Sequence, residues 1–213
     1  MVFVTCLIVS NIIAVKLIEA PLFGVLVPAA LIVFPLSYIF GDILTEVYGF
    51  SRARTIIWLA FACNLLAVAF FTLGQSLTPA APFQDVQGAY ERILGYTPRL
   101  LAASFIAYLI GEFANSMVLS RMKVATRGRF LWARTIGSTI IGEGLDTVVF
   151  NVIAFSGVLP AEALVQTALA AWTLKVAYEV AATPVTYAIV AFLKRAEGID
   201  TYDTTASLSP LSL

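Results

Sequence analysis

Among its 213 residues the chain has no histidine, and that absence closes several readings at once. A His-activated nucleophile, an HExxH zinc site and a His-ligated haem all need an imidazole. Charge is scarce as well: 12% of residues are Asp, Glu, Lys or Arg, against roughly 25% in a soluble domain. Half the usual charge cannot cover a water-facing surface, which implies a lipid-facing one. The net charge is zero, so there is no electrostatic case for nucleic acid as a partner. The two cysteines, Cys6 and Cys63, are too few for a disulfide framework, and both read as small buried hydrophobes. The chain carries no P-loop, so any use of ATP would need partner subunits.

What is present is apolar sequence: 60% of residues are hydrophobic and the mean hydropathy is +0.92. A membrane span needs about 20 mostly apolar residues. Six segments fit: Val2–Leu17, Leu22–Leu44, Thr55–Leu77, Leu100–Leu119, Thr135–Val158 and Val165–Leu193. The expected fold is an all-α integral membrane protein with six transmembrane helices over residues 1–196, followed by a polar, extended or disordered tail over 197–213. The chain starts apolar, without a basic n-region, so Val2–Leu17 reads as a first membrane helix and not as a cleaved signal peptide. Thr78–Arg99 reads as a long loop, with Ala89–Leu94 as the candidate for a short interfacial helix.

Orientation follows from Lys and Arg. With both termini cytoplasmic, the inner side holds Arg52, Arg54, Arg121, Lys123, Arg127, Arg129, Arg134, Lys194 and Arg195. The outer side holds only Lys16, Arg92 and Arg99. Small residues spaced four apart, Ala107/Gly111 and Ser138/Gly142, suit close helix packing.

The informative residues are the ionisable ones within spans: Glu112, Glu143, Asp146, Lys175 and Glu179. Each costs roughly 2.5–3.5 kcal/mol at a helix centre, so it must face a cavity or a partner. Thr139, Glu143, Asp146 and Phe150 form one stripe at three- and four-residue steps. Tyr108, Glu112 and Asn115 form a second. Trp172, Lys175 and Glu179 form a third, with Tyr178 beside it. At 1.5 Å per residue these acids lie roughly 13 to 22 Å from the basic ends of their helices, from the midplane outward. The stripes read either as the lining of one shared cavity or as helix–helix glue, with Lys175 and Glu179 paired within their own helix. Four acids against one base favour a cationic or donor-rich ligand, or proton coupling, over an anion. A second cluster, Asp42 and Glu46, sits at the end of the second span with Arg52, Arg54 and Arg134 as candidate partners. It reads as an inner gate, as a proton-coupling group, or as a static network. Gly142–Asp146 reads GEGLD, which misplaces by one residue the aspartate of the GxGD intramembrane proteases. No second aspartate motif matches, so an enzyme is not expected.

Four runs resemble a known family. They are FPLSYIFGDILTEVYGFSRAR (Phe34–Arg54), GEFANSMVLSRMK (Gly111–Lys123), LWARTIGSTIIGEGLDTVVFNVIAF (Leu131–Phe155) and KVAYEVAATPVTYAIVAFLKRAEGIDTYD (Lys175–Asp203). Together they look like the queuosine precursor transporter family, also called the vitamin uptake transporter family. The resemblance implies import of 7-cyano- or 7-aminomethyl-7-deazaguanine across a bacterial inner membrane, for queuosine salvage into tRNA. It also implies a helical fold like that of the substrate-binding subunits of energy-coupling-factor importers. The alternative it carries is such a subunit, dependent on partner ATPases; a homodimer is also compatible. No cofactor or metal is expected. On this reading one carboxylate accepts the two adjacent N–H donors of a guanine-like edge. Asn115 or Lys175 would donate to the carbonyl, and Trp172, Tyr178 and Phe150 would provide a flat platform.

Overall fold

The structure is a computed structural model, and it describes residues 1–19, 26–95, 98–158, 160–204 and 209–210. Seven α-helices follow in order among these residues: α1 (Val2–Ile13), α2 (Phe34–Tyr48), α3 (Phe50–Ser76), α4 (Gln84–Leu94), α5 (Pro98–Ala125), α6 (Leu131–Phe155) and α7 (Ala161–Glu197). Between α1 and α2 lies an antiparallel hairpin, β1 (Leu17–Glu19) and β2 (Leu26–Pro28), with Ile18 opposite Val27. A 3-10 turn (Ala29–Ile32) leads from it into α2.

Five helical stretches are long and apolar enough to cross a bilayer: Ala29–Tyr48, Phe50–Ser76, one within Ala81–Ala125, Leu131–Phe155 and Ala161–Glu197. The expected first helix, Val2–Leu17, stops at Ile13. Its 12 residues make a rod of roughly 18 Å, short of a full span. Beyond it the chain enters the hairpin, where Ala29 N–H bonds the Lys16 carbonyl at 2.7 Å. The expected second span, Leu22–Leu44, is displaced as well. Its residues 22–25 lie outside the described residues, and the α-helix begins only at Phe34, with Pro35 in its first turn. This shift carries Asp42 and Glu46 into the body of a helix. Between α3 and α5 the chain forms α4 across Gln84–Leu94, longer than the candidate Ala89–Leu94. Tyr90 ties it to α3 by donating to the Phe71 carbonyl at 3.2 Å.

The bundle is apolar outside, and its interior combines apolar clusters around Phe50 and Ile43 with many buried polar side chains. Leu66, Phe70, Leu73, Val148, Val152, Val180, Val185 and Phe192 are exposed, while Thr135, Ser138, Thr139, Glu143 and Asn151 are buried. A helix in hydrocarbon satisfies its own backbone, so its polar side chains turn toward its neighbours. The small residues on α5 and α6 let these two helices meet closely. A Cβ added at Gly142 would stand 2.5 Å from the Asn115 Cβ and 2.8 Å from the Gly111 carbonyl. On the first helix, Asn11 donates to Asn64 of α3 at 3.0 Å, the cross-helix amide contact expected of such residues.

After α7 the chain turns back along the end of the bundle where basic residues gather. Thr201 N–H bonds the Val47 carbonyl at 3.1 Å. The Asp203 carboxylate accepts from Phe50 N–H and the Ser120 hydroxyl, both at 2.7 Å. This strap packs against Gly49, whose φ of 84° only glycine adopts freely and where a Cβ would meet Thr201 at 2.8 Å.

Candidate functional site

Two buried charge clusters lie along the bundle axis. The first occupies the basic end. Glu46 is 1% exposed, and its Oε1 accepts from Arg134 at 2.8 Å and from Lys194 at 2.8 Å, with Lys123 at 3.8 Å. Asp200 of the strap bridges the two lysines, at 2.5 Å from Lys123 and 2.9 Å from Lys194. Lys123 also donates to the carbonyls of Glu46 and Thr201. Arg134 donates further to the Thr126 hydroxyl and the Arg129 carbonyl. Burial raises the Asp200 carboxyl, but the hydrogen bonds from Lys123 and Lys194 outweigh it and hold it below the ordinary aspartate value. Of the sequence-based partners for Glu46, Arg134 is present. Arg52 instead lies over the Tyr48 ring at 5.9 Å, and Arg54 donates to the Ser209 carbonyl at 3.0 Å. Lys123, Lys194 and Asp200 were missed because the two lysines read as part of the basic inner surface and Asp200 as part of a polar tail.

The second cluster lies deeper, where α2, α5, α6 and α7 meet. Lys175 Nζ sits 2.6 Å from Glu143 and 2.8 Å from Asp146. It also contacts the Thr147 hydroxyl at 3.4 Å and lies 4.7 Å from the centre of the Phe34 ring. Asn115 donates to Asp42 at 2.6 Å. Glu112 is 0% exposed, and neither of its carboxylate oxygens has a hydrogen-bond partner. Asp42 Oδ2, Glu179 Oε1, Asn115 Oδ1 and the hydroxyls of Tyr38 and Thr139 are likewise buried without a partner. The five carboxylates lie within electrostatic reach of one another, so a negative charge on any of them disfavours charge on its neighbours. Lys175 pairs with two of them, Glu143 and Asp146. Most buried polar groups in a folded protein have a partner, and this concentration of bare ones marks the candidate site.

The structure brings together Glu112, Asn115, Glu143, Asp146, Lys175 and Glu179, and adds Asp42. Lys175 pairs across to α6, so the reading in which it pairs with Glu179 on its own helix is corrected: a position with two acids facing it holds the ammonium better than one acid a turn away. The three aromatic residues are placed apart. Trp172 donates from its indole to the Ile140 carbonyl at 3.1 Å and packs on Gly144. Phe150 meets Phe155 edge-on at 5.9 Å. Tyr178 packs among Ile39, Ile43 and Leu131. The rings nearest the acids come from α2: Phe34 on Lys175, with Tyr38 5.6 Å from Phe34. A stripe at four-residue steps, Phe34, Tyr38 and Asp42, was the signal that could have found them.

Glycines make the convergence possible. A Cβ at Gly41 would overlap the Glu112 carboxylate, and one at Gly111 would stand 2.7 Å from the Asp146 Cβ and 2.8 Å from the Tyr38 hydroxyl.

Comparison with known proteins gives a consistent answer. Residues 28–189 match a family model described as "Putative vitamin uptake transporter". The chain is 30% identical over 180 residues to a protein of Bacillus subtilis (strain 168) named "Probable queuosine precursor transporter", covering 84% of this chain and 77% of that one. It is also 30% identical over 122 residues to the "Queuosine precursor transporter" of Escherichia coli (strain K12), covering 57% of this chain and 52% of that one. A similar stretch of 122 residues is 26% identical to a relative of that type in Haemophilus influenzae, covering 57% of this chain and 49% of that one. No solved structure matches.

Proposed function

The chain belongs to the vitamin uptake transporter family, and from that premise we propose that it imports queuosine precursors, 7-cyano- or 7-aminomethyl-7-deazaguanine, across a bacterial inner membrane. The relatives are transporters, and this chain is a transporter and not an enzyme. The observation that carries the substrate reading is the open acid cluster between α2, α5, α6 and α7. A guanine-like edge offers two adjacent N–H donors, which one carboxylate accepts side by side. Lys175 or Asn115 supplies a donor to the neighbouring carbonyl. Phe34 and Tyr38 offer ring faces next to the acids. An aminomethyl group is cationic at neutral pH and takes a second carboxylate.

The basic end is cytoplasmic by the distribution of Lys and Arg, which puts Thr78–Arg99 outside and both termini inside, and the short α1 then completes a sixth crossing together with the hairpin that follows it. The Glu46 hub, with Arg134 below it and Asp42 one turn above, then forms the inner gate. Ion pairs that must separate for the substrate to leave make such a gate selective in time as well as in space.

The test is uptake of labelled 7-cyano-7-deazaguanine by cells that lack both their own importer and any energy-coupling ATPase module. Accumulation there supports a solitary carrier. Accumulation only when the ATPase module is supplied favours a substrate-binding subunit. No accumulation in either host contradicts the proposed substrate.

A further inference from the structure

We propose that Glu112 is a proton site, and that its proton is carried with the substrate through each transport cycle. The proton occupancy stands on the structure alone; its coupling to transport rests on the function proposed above.

Glu112 is set apart from the other acids of the cluster by having both carboxylate oxygens buried and bare, where Glu179 has one. Glu143 and Asp146 share Lys175, and Asp42 accepts from Asn115. Glu112 has no donor on either oxygen and no exposure to water. The groups that face it from each neighbouring helix make matters worse for a negative charge. Asp42 and the unpartnered Tyr38 hydroxyl approach from α2, Glu143 and Asp146 from α6, and Tyr108 lies a turn away on α5. Lys175 of α7 is taken by the α6 acids, and Phe3 of α1 closes the remaining side next to Gly41. Taking an unpaired carboxylate out of water costs several kcal/mol, and a group in that position takes up a proton instead.

The packing also says what can reach Glu112. Its carboxylate lies so close to Gly41 that even one methyl group there would overlap it. No ring fits between α2 and α5 at this point, whereas a proton needs no volume. The α6–α7 side is less sealed, since the Lys175 side chain is 12% exposed. The substrate therefore meets Lys175 and its acids, while the Glu112 pocket keeps the proton. The proton enters from water on one side of the membrane when the helices part and leaves to water on the other.

Two readouts on the full chain test this. The first is the infrared C=O stretch of a neutral carboxyl at neutral pH. It is expected in the native protein, shifted in Glu112→Asp and lost in Glu112→Gln. A band that Glu112→Gln leaves unchanged overturns the proton site; should that variant not fold, a native band that Glu112→Asp fails to shift does the same. The second is uptake of labelled 7-cyano-7-deazaguanine into proteoliposomes with the membrane potential clamped. One proton carried per molecule lets a gradient of about one pH unit, acid outside, accumulate the label up to about tenfold. Glu112→Gln abolishes that accumulation and Glu112→Asp keeps it. Uptake by the native protein that ignores the gradient overturns the coupling. A band that behaves as expected with no uptake of the label by any variant leaves the proton site standing and sinks the substrate assignment.

Discussion

The two charge clusters are built from the same residue types and behave in opposite ways. Around Glu46, three cations meet two acids and every charge has a partner: Lys123, Asp200 and Lys194 close a ring with Glu46, and Arg134 joins it at Glu46, leaving Glu46 Oε2 and Arg134 Nε without a hydrogen bond. Around Glu112, five acids share one lysine that pairs with two of them, and Asp42, Asn115, Glu179, Tyr38 and Thr139 each keep a buried polar atom without a partner. A buried charge with its partner in place holds helices together; removing the partner leaves a cost that protein alone does not offset. The satisfied cluster reads as a lock and the open one as a site.

The sharpest way to break this comparison is to remove one acid from each cluster. Glu46→Gln removes the buried negative charge that Arg134, Lys194 and Lys123 share, and is expected to lower stability by about 3–5 kcal/mol. Glu179→Gln removes an unpaired charge and is expected to leave stability unchanged or raised. Thermal unfolding in detergent measures both, and equal losses would erase the distinction. The next largest effect is expected at the α5–α6 seam. Gly111→Ala puts a methyl group 2.7 Å from the Asp146 Cβ and 3.0 Å from the Gly142 carbonyl. Overpacking of this kind costs about 1–3 kcal/mol. Gly88→Ala, with nothing within 4 Å, serves as the control.

Function separates the clusters more directly than stability. Asp146→Asn and Glu179→Gln are expected to elute as folded protein and to lose uptake about tenfold, equivalent to about 1.4 kcal/mol. Normal transport by both would make the cluster glue and move the site elsewhere. A smaller effect is expected at the strap. Asp203→Ala removes the acceptor for the first N–H of α3 and for Ser120, and is expected to cost about 1 kcal/mol. The smallest effect concerns Asp200, which the two lysines hold below its usual value. Its stabilisation is full above the ordinary aspartate range and is lost as pH falls through the depressed value. Asp200→Asn should therefore destabilise at neutral pH and make no difference in strong acid.

Much of this was legible from periodicity. The polar stripes of α5, α6 and α7 follow from three- and four-residue spacing, and all their acids meet in one cluster. The glycines of the α5–α6 seam were visible as small residues four apart. What periodicity could not supply was the first helix boundary and the part played by α2. A run as apolar as Val2–Leu17 fits a helix or a strand, and pairing with β2 decided the matter at Leu17. Phe34 and Tyr38 look like ordinary core aromatics until Lys175 and Gly111 are seen to face them. The strap was equally hidden. Its charges looked solvated, yet Asp200 and Asp203 reach across the end of the bundle to partners about 80 to 150 positions away in sequence.

The central claim is that the under-paired acids recognise a guanine-like edge. Competition against uptake of labelled 7-cyano-7-deazaguanine tests it most directly, using unlabelled 7-deazapurines that carry either a guanine-like or an adenine-like edge. An adenine-like edge offers a carboxylate one donor fewer and turns a ring-nitrogen lone pair toward it, at a cost of about 2 kcal/mol, one unmet hydrogen bond. Guanine-like competitors are therefore expected to inhibit about 30-fold more strongly than adenine-like ones. Equal inhibition by the two would contradict the account.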